Sequence, residues 1–129
     1  EYIPGTAFYL TKNSFYKLGG MDETFHTYWE DVDFSFRARG TRLRMVRGFG
    51  VDISHMVGKT CHKKTIYTTY YFQRNRIKFA KKHLSQDTKN ILKKEIKREL
   101  DNLLEKAIAK NDRVKVGYIE EIYQELDSL

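Results

Sequence analysis

Apolar positions change their period along this chain. Residues 2–10 hold Tyr2, Ile3 and then Thr6-Ala7-Phe8-Tyr9-Leu10, a near-continuous run that predicts a buried strand bent at Pro4-Gly5. Thr11 or Asn13 can cap a short helix through Leu18, with Phe15 and Leu18 inward at i, i+3 spacing, and Gly19-Gly20 stops it. After a loop over residues 21–25 comes Tyr28-Trp29-Glu30-Asp31-Val32-Asp33-Phe34-Ser35-Phe36-Arg37. Carboxylates suit the amide-rich, positive end of a helix, so a helix is expected from Glu30 to Gly40, with Val32, Phe36 and then Leu43 inward. Thr41-Arg42-Leu43-Arg44-Met45-Val46-Arg47 alternates basic and apolar residues, a half-buried strand with Leu43 and Met45 on one face. Gly48-Phe49-Gly50 turns the chain into a second short strand over residues 51–55, and Gly58-Lys59-Thr60-Cys61-His62-Lys63-Lys64 reads as a mobile basic loop.

From Thr65 the period becomes helical to the end. Ile66, Tyr70, Ile77, Ala80 and Leu84 give one stripe, with Arg74-Asn75-Arg76 in its middle. Ser85 or Asp87 caps a second helix with the seam Leu92, Ile96, Leu100, Leu103, Ala107. Asn111-Asp112 breaks it, and Ile119, Ile122, Tyr123 and Leu126 mark a third helix in which Gly117 is a weak point. The pattern therefore divides near residue 85: an α/β part over 1–84, then an amphipathic helical extension over 85–129, helix-rich overall.

At 129 residues, 40% hydrophobic and 32% charged, the chain suits one soluble, globular core. No run approaches the roughly 20 apolar residues that span a bilayer, and the first residues lack the basic-then-apolar order of a signal peptide. The single Cys61 excludes an internal disulfide and a multi-cysteine zinc site. Net charge is +7, and its distribution is uneven. Residues 1–55 hold seven basic and seven acidic side chains, residues 85–129 nine and ten, and residues 56–84 eight basic and none acidic. That uninterrupted patch attracts phosphate, whether on a nucleotide, a lipid headgroup or a nucleic acid, with a solvated face as its plainer meaning.

Taken together, Gly5 in the first strand, Lys17-Leu18-Gly19-Gly20-Met21-Asp22-Glu23-Thr24-Phe25, then Tyr28-Trp29-Glu30-Asp31-Val32-Asp33-Phe34, Arg37-Ala38-Arg39-Gly40, Ser54-His55 and Arg74-Asn75-Arg76 stand in a telling order. Over residues 1–84 this resembles the second half of family 2 glycosyltransferases, inverting GT-A enzymes of the rhamnosyl- or galactofuranosyl-transferase-like kind. The resemblance implies the acceptor-side half of a GT-A (Rossmann-like) domain. It also implies sugar transfer from a nucleotide-sugar donor to a glycan or polyprenyl-diphosphate-linked acceptor in cell-surface polysaccharide synthesis.

The resemblance further implies roles. Asp31 is the general base that deprotonates the acceptor hydroxyl, a poor nucleophile until its proton leaves; its other meaning is a helix cap. Glu30 and Asp33 orient that base or bind acceptor hydroxyls. Gly5, Thr6, Gly19, Gly20 and Asp22 line the donor–acceptor junction. Trp29 offers a stacking face, or packs in the core. His55 completes a divalent-metal site, Mn²⁺ or Mg²⁺, or is structural at a strand end, and His62 is a poorer substitute. Arg74 and the basic loop neutralise a diphosphate.

No strand-and-helix nucleotide-binding start and no earlier Asp-x-Asp precede Glu1, so the reading expects a piece of a longer enzyme, inactive alone. Its location is cytoplasmic, peripheral at the inner face of a membrane. The competing class is a basic module for nucleic acid or anionic membrane, with Tyr67, Tyr70, Tyr71 and Phe72 among the cations. The absence of a nucleic-acid motif argues against nucleic acid. Oligomerisation through 85–129, along the Leu92–Leu103 seam, is a third expectation.

Overall fold

The computed structural model describes residues 2–46, 48, 50, 52–56 and 66–129. These residues form five α-helices and no strand: α1 (Lys12–Lys17), α2 (Glu30–Arg39), α3 (Ile66–His83), α4 (Gln86–Ala109) and α5 (Arg113–Asp127). The chain divides into two compact units, Glu1–Thr60 and Cys61–Leu129, each with its own core.

The expected α/β fold, half of a GT-A domain, is overturned, because the described residues are helical and contain no sheet. A strand is stable only when its backbone groups find a neighbouring strand. Residues 2–10 instead attach to α2 through side chains: Ile3 N–H donates to Ser35 Oγ at 2.9 Å and Gly5 N–H to Asp31 Oδ2 at 2.7 Å. Asp31 and Ser35 lie one turn apart on α2, a rise of about 6 Å, which matches two residues of extended chain at about 6.6 Å. The run is not buried, since Tyr9 is 95% exposed. Nor do residues 41–46 and 52–56 form strands, and Val46, Ile53 and Met56 are exposed. Arg47, Val51 and the basic loop over 58–64, His62 included, lie outside the described residues.

In the first unit, α1 begins at Thr11, whose Oγ1 accepts from Ser14 N–H at 3.1 Å. It ends where Gly19 and Gly20 take left-handed φ of 78° and 71°. Their N–H groups return to the carbonyls of Tyr16 and Phe15 at 2.9 and 3.0 Å, closing the helix end. Helix α2 starts and stops as the acidic first turn and Gly40 predict. Its buried face differs from the expected one. Phe34 and Ala38 pack with Leu18, Leu10, Phe15 and Met21, while Phe36 and Leu43 are exposed. Phe36 stands about 200° round the helix from Phe34, so only one of them can face α1.

In the second unit α3, α4 and α5 pack as a bundle around Ile77, Ile96, Leu100, Ala107, Ile119, Ile122 and Leu126. Ser85 caps α4 and Asp112 caps α5. Asn111, at φ 52°, makes the reversal between them. Arg76 joins α3 to α4 through Glu95 at 2.9 Å and Glu99 at 3.1 Å, and Gln73 Nε2 donates to Glu99 at 2.6 Å. Of the α4 seam, Ile96, Leu100 and Ala107 are buried within the unit, and Leu92 and Leu103 are partly buried against the same core. No helix among the described residues is long and apolar enough to cross a membrane.

Candidate functional site

The first turn of α2 sets the geometry. Before it, Tyr28 and Trp29 both take left-handed backbone, φ 64° and 75°. Each costs a non-glycine residue about 1–2 kcal/mol, and such strain recurs at functional sites. Trp29 is the N-cap of α2 and offers no side-chain cap, so the acidic residues that follow meet the exposed amides themselves. Asp31 Oδ1 accepts from Val32 N–H at 2.8 Å and Oδ2 from Gly5 N–H at 2.7 Å. The carboxylate is half-buried, and Gly5 is so close that a Cβ there would lie 3.4 Å from Asp31 Oδ2. The next residue, Thr6, meets His55: Oγ1 and Nδ1 are 3.3 Å apart. Gly5, Thr6, Asp31 and His55, distant in sequence, are therefore brought together.

Glu30 is half-buried, and its Oε2 is enclosed without a hydrogen-bond partner among the described residues. Burial raises its pKa, its own backbone N–H opposes that, and the neighbouring Asp31 charge raises it further.

Asp33 serves a different structure. It is fully buried, and its Oδ2 accepts from Arg37 Nε at 2.8 Å. Arg37 also donates Nη2 to Gly20 O at 2.7 Å and Nη1 to Leu18 O, and its guanidinium lies 5.4 Å from the Phe34 ring centre. Gly19 and Gly20 thus form the end of α1 that Arg37 fastens. Asp22 caps its own turn, accepting from Thr24 N–H at 3.0 Å and from the Thr24 hydroxyl. Trp29 is half-buried. Arg74 belongs to the second unit, where Nε pairs with Glu125 Oε1 at 2.8 Å and the guanidinium lies 5.9 Å from the Tyr70 ring centre.

Among the described residues no three His, Cys, Asp or Glu side chains gather to hold an ion. His55 is one candidate ligand, and a divalent ion needs further donors beside it.

Ser35 and Arg37 are the residues that sequence reasoning missed in these roles. Both could have been found by helical spacing, Ser35 four positions after Asp31 and Arg37 four after Asp33. The second unit carries a groove of about 290 Å³ lined by Ile108, Asn111, Arg113, Val116 and Gly117, which holds no predicted site residue. Comparison with protein-family models, with curated proteins and with solved structures gives no match.

Proposed function

We propose that the chain carries the acceptor-side catalytic residues of a glycosyltransferase. The reaction is transfer of a sugar, with inversion, from a nucleotide-sugar donor to a glycan or polyprenyl-diphosphate-linked acceptor in cell-surface polysaccharide synthesis. The observation that supports it is the meeting of Gly5, Thr6, Asp31 and His55. Gly5, Asp31 and His55 belong to the motif order that resembles such enzymes, and Thr6 follows Gly5 in the chain. Asp31 is held by two backbone N–H groups, which fix the direction of its carboxylate. A fixed carboxylate beside a bent backbone can receive the acceptor hydroxyl proton as the oxygen attacks the anomeric carbon. The nucleoside diphosphate departs from the opposite side. Glu30 lies next to this base, and its enclosed carboxylate suits a group that binds or orients a hydroxyl. Asp33 and Arg37 act by positioning, since they hold α2 to the end of α1.

A divalent metal and a cytoplasmic location belong to the same proposal, with His55 as one ligand and further donors needed. The test is transfer from a panel of labelled nucleotide sugars by the complete protein that bears this sequence, with the anomeric configuration read by NMR. Transfer with inversion supports the proposal; no transfer to any glycan or lipid-linked acceptor rejects it. A metal response unchanged by His55→Ala removes His55 from the metal site.

A further inference from the structure

Helix α3 carries basic residues and no acidic one. Arg76 is tied to Glu95 and Glu99 of α4. The other cations fall with two tyrosines into a single line. Tyr67, Tyr71, Arg74, Lys78, Lys81 and Lys82 follow one another mostly at three- or four-residue steps, within a sector of about 100°. At 1.5 Å rise per residue the line runs about 22 Å. Tyr67, Arg74, Lys81 and Lys82 are exposed, and Tyr71 and Lys78 half-buried. The Tyr67 and Tyr71 ring centres are 4.5 Å apart. Arg74 is paired with Glu125, but Arg74 is exposed and Glu125 only half-buried, and a pair so open to solvent is weak and screened. Lys81 donates to the Ser128 hydroxyl at 2.7 Å, a neutral partner. On α5, Glu125 and Glu121 meet Arg74 and Tyr70, and the stripe continues past them through Lys78, Lys81 and Lys82.

We propose that this stripe docks on the surface of an anionic lipid bilayer. A straight, one-sided line of cations matches a plane of phosphate headgroups. Lysines reach the headgroups on long apolar stems, and tyrosine rings suit the boundary between water and acyl chain. Single-stranded nucleic acid would instead need a groove that tracks its backbone, and a convex helix face is no groove. The inference does not depend on sugar transfer.

The test is co-sedimentation of the full chain with vesicles of phosphatidylcholine alone and of phosphatidylcholine mixed with phosphatidylglycerol. The expected result is binding to the mixed vesicles only, weakened by salt. Each cation at such a surface is worth roughly fivefold in binding, so K78E/K81E/K82E should weaken it by roughly a hundredfold or more. The same charge change on α4, K94E/K97E/R98E at exposed positions, should weaken it far less. If circular dichroism shows that the α3 reversal loses helicity, the exposed pair K81Q/K82Q gives the reading, with a fall of roughly twentyfold expected and no change overturning the proposal. Absence of binding to the mixed vesicles overturns it, as does equal loss in the α4 variant. So does tighter binding of a single-stranded oligonucleotide that the α3 substitutions abolish.

Discussion

Asp33 and Arg37 stand one turn apart on α2, joined by a 2.8 Å bond between a fully buried carboxylate and a guanidinium that also fastens the carbonyls of Leu18 and Gly20. The pair therefore connects the acidic turn to the glycine stop of α1. Asp33→Asn keeps the shape but leaves the guanidinium uncompensated. Breaking a buried pair on one side costs about 3–5 kcal/mol, and Arg37 is partly exposed, so a loss of about 2–3 kcal/mol is expected. Arg37→Lys should not be benign, because an ammonium lacks the planar fork that reaches three acceptors at once. Urea unfolding followed by NMR signals of the first unit measures both. A loss below about 0.5 kcal/mol for Asp33→Asn would mean that the pair is ornamental.

Asp31 is the site residue whose replacement separates chemistry from structure. Asn retains one carbonyl oxygen, which can accept from Gly5 N–H while the bond from Val32 N–H is lost, so Asp31→Asn should still fold, at a cost of about 1 kcal/mol. In the proposed role it loses the proton acceptor, and general-base catalysis is worth about 10²–10⁴ in rate. In the complete protein, kcat should fall by that range with donor binding nearly intact. A fall of less than about tenfold would assign Asp31 to backbone fastening alone.

Local signals in the sequence were legible where the chain interacts with its near neighbours. Thr11 and Ser85 cap helices, Asn111-Asp112 breaks the long one, Gly19 and Gly40 end the first two, and Ile96, Leu100 and Ala107 face the core as their spacing predicts. The tertiary choices were not legible. An apolar run such as Thr6-Ala7-Phe8-Tyr9-Leu10 has high strand propensity, but propensity does not supply a partner strand, and α2 side chains hold this run instead. The same reason explains α2, where Val32 and Phe36 were as plausible an inner face as Phe34 and Ala38 until α1 took its position. Of the candidate site, the Gly5–Asp31 and Thr6–His55 meetings join residues 26 and 49 positions apart, which no local pattern encodes.

Leu100 is fully buried at the centre of the bundle, with Ile96 and Ile122 in the same core. Leu100→Ala removes apolar surface and leaves a cavity that three packed helices cannot fully close. A loss of about 2–5 kcal/mol is expected, close to the whole stability of a small helical unit. Thermal unfolding followed at the helical circular dichroism band should show a strongly lowered midpoint. An unchanged midpoint would show that the α4 seam is not the core of the second unit.

Glu30 gives the first unit a pH dependence of definite sign. Its enclosed carboxyl holds a proton more tightly when folded than when unfolded, chiefly because burial penalises the charge, with Asp31 adding repulsion. The stability linked to this group is therefore fully present below the unfolded carboxylate value, about 4.3. It is lost as pH rises through the higher folded value, and above that the charged side chain is a constant penalty. Glu30→Gln removes the charge, and a neutral amide is cheaper to enclose than a carboxylate. The variant should be more stable than the parent at neutral pH, and the difference should shrink as pH falls through the carboxylate range. Urea unfolding of both proteins across that range, with the Glu30 carboxyl followed by NMR, measures it. A difference independent of pH, or one that grows toward acid, would mean that Glu30 ionises as freely as an exposed glutamate.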